Sequence, residues 1–134
     1  MKQKLLLLLW LLPLLLFSQN YSLEELLYSR NFISREFGSG TRIQYEKFFS
    51  ENEIVLDRIK TCASMDSTHS IVSAVASGLG VSIVSALAAE EMIARKQLIA
   101  VKLDTELPER KIYMVLNKQI IHSHLVKLFM EFIV

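Results

Sequence analysis

The chain has one cysteine, two prolines and four glycines in 134 residues, and neither sign of charge dominates. A single cysteine, Cys62, excludes an intramolecular disulfide and a multi-cysteine zinc site. Fifteen Lys and Arg against fourteen Asp and Glu leave a formal charge of +1, so there is no basic excess with which to coat nucleic acid. Gly38-Ser39-Gly40-Thr41 lacks the Lys-Ser/Thr pair of a Walker loop. Ser39 adjoins both of its glycines, whereas a nucleophile elbow keeps one residue between serine and each glycine. Gly78-Leu79-Gly80 stands at the end of a helical pattern, which suits a C-terminal cap and not a dinucleotide fingerprint. No nucleophile, base and orienter fall at usable spacing, so the chain reads as non-enzymatic, with no metal and no cofactor implied.

The remaining polar candidates have plain readings. His122 and His124 suit a solvated helix start better than metal ligation, and His69 suits the first turn of a helix. Cys62, at the end of an apolar strand, is expected to be buried packing. Glu90 and Glu91 are adjacent, do not share a helix face and are expected to meet solvent.

What is abundant is apolar. Hydrophobic residues make up 51% of the chain and charged residues 22%, enough for one compact domain with a core. The first twenty residues stand apart. Lys2 and Lys4 precede Leu5 to Phe17, where only Trp10, Pro13 and Phe17 are not leucine, and Ser18-Gln19-Asn20 follows. A basic start, a short apolar run and a polar exit outline a secretory signal peptide. The run is short for a membrane span, which takes about 20 apolar residues. A continuously apolar strand, covered on both faces, is the alternative.

From Tyr21 onward, helix-like and strand-like segments alternate. Ser22-Leu23-Glu24-Glu25 outlines a capping box opening a short helix through Leu27, and Asn31 to Arg35 reads as a strand. Gly38 to Thr41 breaks the chain and caps a helix with Tyr45, Phe48 and Phe49 on its apolar face. A strand is expected near Arg58 to Cys62, then a cap at Asp66-Ser67-Thr68 before a helix carrying Ile71, Val72, Val75 and Ala76. Val81 to Val84 reads as a buried strand and Ala86 to Ala94 as a helix. Strands at Leu98 to Leu103 and Lys111 to Leu116 flank a turn at Pro108. A last helix aligns Ile121, Leu125, Leu128, Phe129, Phe132 and Ile133 in one stripe. This alternation predicts an α/β fold with a mostly parallel sheet flanked by helices. Ligands of such sheets bind beyond the carboxyl ends of strands. The segments 36–41 and 63–68 fit that place, each ending in hydroxyl side chains at a helix N-terminus suited to a small anion.

Phe32-Ile33-Ser34-Arg35-Glu36-Phe37-Gly38-Ser39-Gly40-Thr41-Arg42 resembles a signature in the effector-binding (LysR substrate-binding) domain of LysR-type transcriptional regulators. Met65-Asp66-Ser67, Ala76 to Val84, Leu98 to Val101, Arg110 to Leu116 and the closing helix follow in that family's order. The resemblance covers about residues 21–134, the second unit of the chain after the leader at 1–20. It implies a periplasmic-binding-protein type 2-like (Rossmann-like) fold, here an incomplete subdomain, with a small, anionic effector as ligand. It places Glu36, Ser39 and Thr41 on one side of the cleft, with Met65, Asp66 and Ser67 nearby; the alternative for the hydroxyls and Asp66 is plain helix capping.

The same resemblance turns the leucine run into a crossover strand, with Leu12-Pro13-Leu14 in place of the family's His-Pro-Leu turn. It also implies a truncated cytoplasmic regulator, without the helix-turn-helix and most of the first effector subdomain, that binds no operator by itself. Pairing with a second copy or with a full-length regulator follows from the same likeness. An exported or membrane-tethered solute-binding module, with Leu5 to Phe17 as its signal, is the alternative.

Overall fold

The computed structural model describes residues 2–9, 22–101, 104, 107, 109–111, 113, 115 and 123–133. The order is β1 (Lys2–Leu9), α1 (Leu23–Ser29), β2 (Phe32–Arg35), α2 (Gly40–Glu51), a 3₁₀ turn (Leu56–Arg58), β3 (Thr61–Met65), α3 (Thr68–Ala76), β4 (Ser82–Ser85), α4 (Ala86–Ala94), β5 (Ile99–Ala100), β6 (Glu109–Lys111) and α5 (His124–Ile133). The expected turn at Pro108, Ile121, His122 and the Leu12-Pro13-Leu14 segment lie outside the described residues. So do parts of the expected strands 98–103 and 111–116.

The α/β class is as expected, and β2 and β3 run parallel from Phe32↔Thr61 to Arg35↔Met65. Strand direction changes beyond that pair. β1 is antiparallel to β4, β5 and β6, with Leu7 opposite Ile83, Leu8 opposite Ala100 and Lys4 opposite Glu109. The two sheets meet at a parallel bridge between Phe32 and Val81. Ile33 N–H donates to the Val81 carbonyl at 2.9 Å, and Val81 N–H donates to the Asn31 carbonyl at 2.8 Å. Past this bridge the buried Ser82 hydroxyl donates to the Ile33 carbonyl at 2.7 Å, which keeps that buried acceptor satisfied. Gly80 sits at a close approach of the two segments: a Cβ there would run into the Asn31 carbonyl oxygen, so no side chain fits.

Side chains alternate across β2 and divide the apolar residues into two cores. Phe32, with Val81 and Ile83, faces α1 and α2, where it packs against Leu27, Tyr45 and Phe49. Ile33 and Val84 face α3 and α4, with Ile71, Val72, Val75 and Ala89. The three rings of Phe32, Tyr45 and Phe49 lie 5.3–6.5 Å apart, a range in which edge and tilted contacts add to burial.

Two expectations need correction. The strand sought near Arg58 starts only at Thr61, because residues 55–59 are drawn onto α1 instead. Val55 N–H donates to the Tyr28 hydroxyl at 2.9 Å, the Arg58 guanidinium sits 4.0 Å above the Tyr28 ring, and Ile59 enters the core. Cys62 is exposed and not buried, since among the described residues β3 pairs only with β2 and presents most of its residues to solvent. The apolar stripe of α5 forms, but Leu125, Leu128, Phe129 and Phe132 are all exposed. Among the described residues no helix is long and apolar enough to cross a membrane.

Candidate functional site

The parallel strands β2 and β3 end side by side at Arg35 and Met65, and helices α2 and α3 start just beyond them. Two helix N-termini therefore converge at the carboxyl edge of one sheet, where donor groups and dipoles favour an anion. Glu36 N–H donates to the Met65 carbonyl at 3.1 Å, tying the two loops together at their roots.

Arg35 joins the rest. Its guanidinium is bidentate on the Glu36 carboxylate, with Nε–Oε2 at 2.8 Å and Nη2–Oε1 at 2.9 Å. Nη1 donates to the Thr68 hydroxyl at 2.7 Å and Nη2 to the Asp66 carbonyl at 3.0 Å. The side chain of Arg35 is mostly covered, while that of Glu36 is 38% exposed. The guanidinium holds the Glu36 carboxyl below the ordinary carboxylate range, chiefly through their hydrogen bonds. The Arg35 carbonyl accepts from Arg42 Nη1 at 3.1 Å and from the Ser64 hydroxyl at 3.2 Å. Arg42 in turn pairs with Glu46 at 2.6 Å, one helical turn along α2, and lies over the Phe37 ring.

Of the residues singled out from sequence, Glu36, Met65 and Asp66 are brought together by these bonds. Ser67 is exposed and caps α3, its hydroxyl accepting from Ser70 N–H at 3.3 Å. Ser39 holds the cap position of α2 by its backbone, its carbonyl accepting from Ile43 N–H at 2.9 Å, but its side chain makes no capping bond. Ser39 and Thr41 are both buried, at 7% and 3% exposure, so they stand behind the loop surface and not on it. Arg35, Thr68 and Arg42 were not picked out from sequence as site residues. An arginine ending an apolar strand was the available signal for the first. His69 is exposed, and no group of three metal-ligating side chains occurs among the described residues.

A cavity of about 190 Å³ lies on the other face of β2, between Ser34, Tyr45, Arg42 and Ser64. Arg35 follows Ser34 along the strand, so its fork points to the α3 side, away from this cavity.

Residues 13–134 match the LysR substrate binding domain family. The chain belongs to that family. It is an effector-binding domain of LysR-type regulators, a non-enzymatic family. A RuBisCO operon transcriptional regulator of Acidithiobacillus ferrooxidans is 35% identical over 102 residues, covering 76% of this chain and 32% of that protein. The chain thus spans about a third of the length of that curated relative. The regulatory domain of Synechocystis PCC6803 CcmR, solved in complex with 2-PG, superposes with a TM-score of 0.71 at 20% identity, over 98% of this chain and 62% of that one. The effector binding domain of QuiR, solved with shikimate, gives 0.70 at 18% identity, over 98% and 59%. At these identities the two structures speak for the fold, the type 2 periplasmic-binding-protein-like arrangement of LysR regulatory domains.

Proposed function

We propose that this LysR substrate-binding domain senses a small anionic effector at the edge formed by β2, β3 and the starts of α2 and α3. The observation that carries this reading is the Arg35 fork at the carboxyl edge of a parallel pair, held between Glu36 and Thr68 at the start of α3. Glu36 and Asp66 stand at the mouth of that site, Met65 and Ser67 beside it, and Ser39 and Thr41 form its floor. The solved complexes of similar domains hold 2-phosphoglycolate and shikimate, both acids, which supports the same ligand class here.

The chain acts in the cytoplasm within a regulator's assembly and does not itself grip operator DNA, in keeping with its balanced charge. The run Leu5–Leu9 works as a sheet strand and not as an export signal, a reading supported by its pairing with β4 and β5.

The test is calorimetric titration of the purified chain with 2-phosphoglycolate, shikimate and inorganic phosphate, with glycerol and glucose as neutral controls. Saturable binding of at least one acid, with none of the neutral solutes, is expected. Binding of no acid, or equal binding of the neutral solutes, overturns the reading.

A further inference from the structure

We infer that Glu36 is a resident occupant of the Arg35 fork, and that an anionic ligand binds by taking its place on the guanidinium. The inference rests on the anion-site reading above and assigns to its two charged residues opposite roles.

Arg35 presents Nε and Nη2 as a planar pair, the edge that matches a carboxylate or phosphate bidentately. Glu36 fills that edge from the neighbouring position in the chain. The guanidinium is nevertheless held independently of Glu36, because Thr68 takes Nη1 and the Asp66 carbonyl takes Nη2. Removing the Glu36 carboxylate therefore leaves the fork aimed where it was. Glu36 itself has little to lose: its side chain is 38% exposed against 14% for Arg35, so it can rotate into water while its partner stays in place. Exchange of one carboxylate for another oxyanion conserves the ion pair and the hydrogen-bond count.

The other cation nearby, Arg42, does not offer this. Its partner Glu46 is fixed on the same helix, one turn away, and its Nη1 is spent on the Arg35 carbonyl. Glu36 is accordingly a competitor of the ligand and Arg35 its receptor. This reverses the role that its place in the signature implies for Glu36, which is ligand contact.

Inorganic phosphate is the probe, titrated into the full chain and into Glu36→Gln, Arg35→Lys and Arg35→Gln. Glu36→Gln is expected to bind phosphate about three- to fivefold tighter, the scale of losing a solvent-exposed ion-pair competitor. Arg35→Lys keeps the charge and loses the fork, and weakens binding; Arg35→Gln abolishes it. In nitrogen-15 spectra the Arg35 Nε–H signal of the unaltered chain moves on phosphate addition. Because the arginine variants lose loop contacts and can misfold, the sign of the Glu36→Gln effect and the Arg35 signal decide the matter. Unchanged or weaker binding by Glu36→Gln, with the parent chain still binding, overturns the exchange and leaves the anion site standing. Failure of both proteins to bind phosphate or either acid overturns the site and the exchange together.

Discussion

Arg35 N–H donates to the Tyr45 hydroxyl at 3.3 Å, that hydroxyl lies 2.7 Å from Ser34 Oγ, and Ser34 Oγ donates to the Arg35 carbonyl at 3.0 Å. Each hydroxyl has one proton, so Tyr45 must be the donor to Ser34, and the bonds close a ring around the end of β2. Burial pushes the Tyr45 hydroxyl up from its ordinary range, outweighing the two hydrogen bonds that pull it down. Tyr45→Phe keeps the ring stack on Phe32 and Phe49 but orphans a backbone donor beside the site. The expected loss is about 1–3 kcal/mol at pH 7 by urea unfolding. Because the folded-state pKa is raised, the contribution of the hydroxyl is whole below the unfolded value of about 10 and falls away as pH climbs through the folded value. The gap between the two proteins therefore narrows as pH rises above about 10. A gap that is constant with pH would show that the Tyr45 hydroxyl titrates alike in the folded and unfolded chains.

At the scale of the element, three helices end through a residue of positive φ followed by a closing bond back into the last turn. After α3, Gly78 at φ 81° gives its N–H to Val75 and Leu79 gives its own to Ala74, a Schellman closure. α4 repeats it, with Lys96 at φ 57° bonding to Ile93 and Gln97 to Met92. α2 turns through Glu53 at φ 59°, and Ile54 N–H reaches the Phe49 carbonyl. Only the first of these stops was legible, because it uses glycine; Glu53 and Lys96 carry no such sign. Both are exposed and held in the left-handed region against their own Cβ atoms. Glu53→Gly and Lys96→Gly are each expected to stabilise the chain by about 0.5 kcal/mol, the relief of strain less the entropy glycine adds to the unfolded state. Thermal unfolding of the single and double variants checks both the sign and the additivity.

The helices and the parallel pair were readable because their apolar spacing and glycine punctuation are local. The start of β3 and the exposure of Cys62 were not, because they depend on contacts with α1 and on which strand lies at a sheet edge. The candidate site was legible in the same divided way. Strand ends and helix starts pointed to its place, while the bonds of Arg35 depend on Thr68 and Asp66, which only the fold brings within reach.

For the whole molecule, a chain that is 51% hydrophobic does not spend its apolar residues evenly. Phe49 is fully buried, with Phe32, Tyr45 and Phe48 around it, whereas Phe132 on α5 is 88% exposed. Hydrophobic stabilisation scales with area taken from water, so two phenylalanines alike in sequence should differ greatly in consequence. Phe49→Ala opens a cavity between α2 and the sheet and is expected to cost about 3–5 kcal/mol, a large fraction of the stability of a domain this small. Phe132→Ser touches little that is packed and is expected to change stability by less than about 0.5 kcal/mol while reducing apolar surface that favours aggregation. Urea unfolding of both variants at equal concentration separates these outcomes. Comparable losses from the two would mean that α5 is packed against the body of the chain, and its stripe would then count as core.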